Sequence, residues 1–150
     1  MKAFLDLILK LFKAYSAQQA STMPSYFSRD EYLKGRDVEY PLTPELEENM
    51  SILLERISLV REQYGKPMNV SSGYRPGHHN IKAGGSARSA HITCEAIDIL
   101  DIDRKFSKWI VDNKYLLQEL DLYVEDPNYT NSWVHLQTRP TRSGNRIFIP

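Results

Sequence analysis

One long helix, and an abrupt change of hydrophobic period after it, constrain this chain more than any other feature. Thr43-Pro44-Glu45 supplies an N-cap hydroxyl, a proline at the first helical position and an acid in the first turn. Leu46, Met50, Leu53, Leu54, Ile57 and Val60 then keep helical spacing up to about Tyr64, and Gly65 with Pro67 stops it. From Met68 the pattern changes. Residues 69–73 read as a short strand, 96–100 and 120–124 alternate as strands, and 133–136 and 147–149 read as two more. Residues 103–113 form the exception, a helix carrying Phe106, Trp109 and Ile110. Upstream, Ser28 caps a short helix over residues 29–34, with Glu31 at the capping-box position and Gly35 ending it. A helix-rich front and a strand-rich back predict an α+β fold with an antiparallel sheet and helices packed on it.

A chain of 150 residues makes one domain and buries roughly 68–70% of its unfolded surface. It therefore needs neither disulfides nor a structural metal to fold. Cys94 is the single cysteine, which rules out an intramolecular disulfide framework and a Cys-rich zinc site. Nineteen basic residues balance nineteen acidic ones with no basic block, which argues against binding a nucleic-acid backbone. No apolar run approaches the 18 or so residues needed to cross a bilayer.

Residues 1–20 begin like an export signal, but Asp6 and Lys10 interrupt the apolar core such a signal needs. Phe4, Leu5, Ile8, Leu11, Phe12 and Tyr15 fall on one stripe. The segment reads as an amphipathic helix packed on the domain. A membrane-surface helix and a degenerate signal are the alternatives. Residues 18–25 read as a linker, leaving 26–150 as the domain proper.

Residues 74–89 (YRPGHHNIKAGGSARS) are rich in Gly, Ser and basic residues and read as an irregular loop of functional length. His78 and His79 within it read as structural side chains, with substrate contact as the alternative. His91 and His135 stand in more distinctive surroundings, Ser89-Ala90-His91 and Trp133-Val134-His135. Two imidazoles and one carboxylate form a set that zinc accepts, with a fourth position left for water. The residual positive charge lowers the pKa of that water towards about 7 and polarises a carbonyl. His91 and Asp98 are seven residues apart. Thr93, Ile97 and Ile99 indicate strand, and an odd separation on a flat strand puts two side chains on opposite faces. The chain must therefore bend between them, with His91 at the loop end and Asp98 on the strand. Asp98 is read as facing the core side among Ile97, Ile99 and Leu100, where a carboxylate is expensive unless paired or metal-bound.

Three stretches taken in order, Ser72-Gly73-Tyr74-Arg75, Ser89-Ala90-His91 to Asp98, and Trp133-Val134-His135, resemble the zinc D-alanyl-D-alanine carboxypeptidase family. That family includes cell-wall carboxypeptidases, dipeptidases and phage L-alanyl-D-glutamate endolysins, and shares a fold with the hedgehog signalling domain. The resemblance covers roughly residues 26–138. It implies zinc ligands His91, Asp98 and His135, and an arginine, Arg75, that contacts the substrate's peptide carbonyl or carboxylate, a role suited to a fixed fork of donors. Ser89 matches a serine near the substrate; Tyr74 and Trp133 read either as core residues or as walls of the substrate cleft. The family often has glycine where Cys94 stands, and Cys94 reads as a buried spectator, with competition for metal as the alternative.

Several branches of the family carry their general base three residues before the last histidine, where this chain has Ser132. Other branches take it from the end of the preceding strand, which here offers Glu125 and Asp126. Asp126 fits an ungapped comparison better, Glu125 has the longer reach, and the choice between them stays open. The implied activity is zinc-dependent hydrolysis of peptide bonds involving D-amino acids in peptidoglycan stem peptides. A catalytically inactive zinc-binding or virion module is the alternative that Ser132 motivates. The three arginines among residues 138–150 read as a basic tail with an edge strand, or as contacts to an anionic wall polymer. Within the resemblance, the compact size and the lack of a clear signal or wall-binding domain suggest a phage-type enzyme, made in host cytoplasm or carried in a virion and acting on the cell wall, and a monomer is expected.

Overall fold

The computed structural model describes residues 27–150. The amphipathic helix expected over residues 1–20 lies outside them. Helix α1 (Arg29–Leu33) has the full capping box: Ser28 Oγ accepts from the Glu31 amide and the Glu31 carboxylate accepts from the Ser28 amide. Lys34 and Gly35 both adopt positive φ, 53° and 74°, and this double break restarts the chain as α2 (Arg36–Glu39), which was not expected. The long helix α3 (Pro44–Tyr64) starts at Thr43 and ends at Gly65, as its caps dictate. It buries Met50, Leu53, Ile57 and Val60, each stabilising the fold by about 1.5–3 kcal/mol through removal from water.

The remaining elements are β1 (Val70–Ser72), α4 (Gly77–Lys82), β2 (Ala96–Leu100), α5 (Lys105–Asp112), α6 (Tyr115–Glu119), β3 (Tyr123–Glu125) and a 3-10 turn over Pro127–Tyr129. Strands β4 (Trp133–Gln137) and β5 (Ile147–Phe148) complete the chain. The five strands form one sheet in the order β1-β2-β4-β3-β5. Three pairings are antiparallel, as expected. The fourth is not: β5 runs parallel to β3, because the chain crosses back over residues 138–146 and re-enters the sheet in the direction of β3. One face of the sheet carries Ile97, Ile99, Val124, Val134 and Leu136, all essentially inaccessible and in one apolar cluster with the buried face of α3. The opposite face carries the site.

Two further expectations are corrected. The supposedly irregular loop at 74–89 contains α4 and is organised around the buried Asn80, whose side-chain amide nitrogen donates to the Ser86 carbonyl (2.6 Å) while its backbone carbonyl accepts from the Gly85 amide (2.9 Å). The strand expected over 120–124 starts only at Tyr123. Leu120–Leu122 turn out of α6, with Asp121 at φ 50°.

Candidate metal centre

The bend demanded between His91 and Asp98 falls at Cys94, which has φ 57°. The Glu95 amide closes the turn on the Ala90 carbonyl (2.9 Å), and β2 starts at Ala96. A left-handed residue here explains why glycine suits the position, since an L side chain costs about 1–2 kcal/mol in that region. Asp98 does not face the core as expected. The same two-residue period that sends Ile97 and Ile99 inward turns Asp98 to the other face, beside the partly open site.

Strand register brings the remaining groups to it. Asp98 pairs with His135 across β2 and β4, Ser72 pairs with Asp98, and Glu125 pairs with Phe148. The β3–β4 register, Tyr123 with Gln137 and Val124 with Leu136, carried one residue further, sets Glu125 against His135. A single row, Ser72, Asp98, His135, Glu125 and Phe148, therefore crosses all five strands, and directly opposed residues share a face of a sheet.

At the centre of the row, His91 Nε2 lies 3.2 Å and His135 Nδ1 2.8 Å from the same oxygen, Asp98 Oδ1. One donor atom from each of the three residues lies within 4.8 Å of the other two. The outer nitrogens are also committed. His91 Nδ1 donates to the Gly73 carbonyl (2.8 Å) and His135 Nε2 to Gln137 Oε1 (3.0 Å). The Gln137 amide is oriented by its Nε2, which donates to the Arg139 carbonyl (2.7 Å). Each imidazole thus has one nitrogen fixed by an acceptor and the other turned inward, the arrangement by which proteins orient metal-binding histidines. Gly73 had entered only as part of the stretch over residues 72–75, with no role of its own, and Gln137 and Phe148 had not been singled out from the sequence. Gln137 was accessible to period-two reasoning, since it follows His135 by two residues on the same strand face. Phe148 was not, because its ring reaches His135 (centroids 6.2 Å apart) only through the long-range β3–β5 pairing.

Residues 27–137 match the family described as Peptidase M15. The chain belongs to the M15 peptidase family. No curated protein matches it. M15 peptidases are zinc metallopeptidases, and the donor set of two oriented imidazoles and one carboxylate fits that ion on chemistry and spacing. The M15 match ends at Gln137, so β5 and the arginines of residues 138–150 lie outside it.

Electrostatics distinguish the groups around the centre. Burial disfavours a charged Asp98, but hydrogen bonds from His135 and His91 and their charges outweigh it and hold the carboxyl well below the usual carboxylate range. Burial lowers His91, against the pull of Asp98. It opposes charge on His135 as well, yet there the hydrogen bond and charge of Asp98 prevail and the group is raised. Burial lowers the Arg75 guanidinium against the attraction of Asp98, whose Oδ2 lies 3.6 Å from it. The Arg75 Nε is buried with no partner. Glu125 is half-buried, and burial raises its carboxyl above the usual value.

The other residues singled out from the sequence are placed as follows. Asp126 lies past the end of β3 and is occupied as a cap, its Oδ1 accepting from the Asn128 amide and side chain (2.9 Å each). Ser89 Oγ accepts from the His91 amide (3.3 Å), inside the turn that presents the ligand. Trp133 is half-buried on the site face, one step along β4 from His135 and opposite Leu100. Tyr74 is only 5% exposed and packs in the apolar cluster, so it offers a substrate almost no surface. Cys94 points into the same cluster, and burial pushes its thiol up to about 12. A thiol kept protonated is neither nucleophile nor ligand. The native protein is therefore expected to leave Cys94 unlabelled by a disulfide thiol reagent at pH 8, and to react with one equivalent after unfolding. Rapid labelling of the folded protein would contradict this burial.

Proposed function

We propose that this M15 peptidase is a zinc enzyme that hydrolyses peptide bonds involving D-amino acids in peptidoglycan stem peptides, with His91, Asp98 and His135 as its zinc ligands. Zinc bound there would polarise the scissile carbonyl and lower the pKa of a neighbouring water towards about 7. Glu125 accepts the proton of the attacking water as the oxygen–carbon bond forms, and returns it to the amine nitrogen as the carbon–nitrogen bond breaks. Arg75 presents its fork of donors to the developing oxyanion or to a substrate carboxylate. Trp133 supplies an aromatic wall.

The observation that carries this reading is the placement of Glu125 in the same row as His135 and Asp98, with burial holding its carboxyl above the usual value. It supplies the base that Ser132 cannot, and so favours the enzyme over an inactive binding module. Full-length protein incubated with soluble stem peptides and zinc is expected to release new amino groups and shortened peptides, to stop on chelation and to resume on zinc addition. Zinc-loaded, folded protein that binds the peptides and leaves them intact would establish the binding module instead.

A further inference from the structure

A second group of metal-ligating side chains lies apart from the centre and shares no residue with it. His78 and His79 open α4, and Glu39 closes α2. One donor atom from each lies within 4.8 Å of the other two. The imidazole centroids are 4.0 Å apart with the rings tilted by 46°. Tyr40 packs its ring 4.6 Å from His78 and edge-on to His79 at 6.1 Å.

The simplest account is an aromatic stack of Tyr40, His78 and His79. A stack, however, uses the ring faces and leaves the ring nitrogens without a task. Among the described residues, neither histidine directs a ring nitrogen into a hydrogen bond, in contrast to His91 and His135, all of whose ring nitrogens are engaged. Glu39 spends only one oxygen, Oε1, on the Tyr40 hydroxyl (2.9 Å). The histidines are half-buried and the glutamate is exposed, so protein supplies three ligands and solvent has access to the rest.

We propose that Glu39, His78 and His79 form a second site for a divalent transition metal of the zinc, nickel or copper class. Two imidazoles select these ions over calcium or magnesium, which take oxygen ligands. Ligand orientation sets its rank, since acceptors hold the outer ring nitrogens of His91 and His135 but not those of His78 and His79, and neighbouring charge adds to the difference. Arg36 and Lys82 both act on His79 electrostatically, and the single carboxylate of Glu39 offsets only part of their repulsion of a cation. The Arg36 guanidinium is tied to the Tyr74 carbonyl (2.5 Å) and does not swing clear. The second site is therefore the weaker of the two, and its occupancy falls first as free metal is lowered. Its histidines lie on the stretch that follows Arg75, three and four residues further along the chain.

This inference does not depend on the peptidase reading, and its test reads metal rather than activity. Chelator-stripped full-length protein is titrated with zinc by calorimetry, with metal content measured after dialysis. The natural chain is expected to take two equivalents, one tight and one weaker. His78→Gln/His79→Gln loses the weaker event and keeps the tight one; Asp98→Ala does the reverse. A natural chain that takes one equivalent, or a double variant that still takes two, overturns the site. Should the double variant lose its native circular dichroism, Glu39→Gln, at an exposed carboxylate, decides alone: loss of the weaker event supports the site, and an unchanged one overturns it.

Discussion

Glu125→Gln is expected to lower kcat/KM on a stem-peptide substrate by about 10²–10⁴-fold, the range supplied by a positioned general base. Its zinc content should stay at the natural level, because Glu125 is not among the three converging ligands. Asp126→Asn should leave kcat/KM nearly unchanged, because that carboxylate caps the turn over Pro127–Tyr129 and lies beyond the sheet row. The sign of the stability change adds a second readout. Burial raises the Glu125 carboxyl in the folded protein, so its ionised form destabilises the fold above that raised value. A neutral glutamine is therefore expected to hold or slightly raise the melting temperature at pH 7 while activity is lost. As pH falls, the folded carboxyl takes up its proton before an unfolded one would, so the acid limb of kcat/KM should lie above the ordinary glutamate value, and Glu125→Gln should abolish it. Full activity in Glu125→Gln would sink the assignment of the base.

Gly73→Ala is expected to be the most damaging single methyl addition near the centre. A Cβ on Gly73 would lie 2.1 Å from the Tyr32 carbonyl oxygen and 2.7 Å from the Tyr32 ring. Tyr32 is fully buried, and its hydroxyl donates to the Ala96 carbonyl at the start of β2 (3.0 Å). Neither partner can yield without moving α1 away from the sheet. Overpacking of this kind costs about 1–3 kcal/mol or more, which is readable as a lowered midpoint in denaturant. The backbone shift also moves the Gly73 carbonyl that orients His91, and loss of such an orienting partner costs about 10–100-fold in metal affinity. The two effects separate by measurement: Gly65→Ala, at a helix end with nothing within 4 Å of the added methyl, should lose some stability to its positive φ but keep its zinc affinity. Gly73→Ala with natural stability and affinity would show that the contact relaxes freely.

The parts of this fold legible in the sequence are those written locally. The α3 helix carries its own caps, so both of its ends could be placed. The need for a bend between His91 and Asp98 followed from the parity of their separation, and Cys94 at positive φ is the residue that makes it. Parity also held the clue to which way Asp98 faces, but the apolar neighbours Ile97 and Ile99 drew the reading towards the core. The choice between Glu125 and Asp126 could not be made without knowing where β3 begins. That start depends on α6 (Tyr115–Glu119), whose five residues are too few to show a distinguishing period. The parallel pairing of β5 was illegible for a different reason. Two residues carry no pattern, and their place is set by pairing with a strand more than twenty positions earlier.

That two-residue strand has a consequence for how the protein can be cut and joined. The stretch that marks the chain as an M15 peptidase stops at Gln137, yet the sheet it belongs to continues into β5. Excised there, β3 would become a bare sheet border, with the Val124 and Asp126 amides stripped of the Arg146 and Phe148 carbonyls and open to a foreign strand. The His135 ring would also lose its aromatic neighbour. Any fusion or trimming scheme must treat the last dozen residues as the outer border of the sheet that carries the candidate metal centre rather than as a tail.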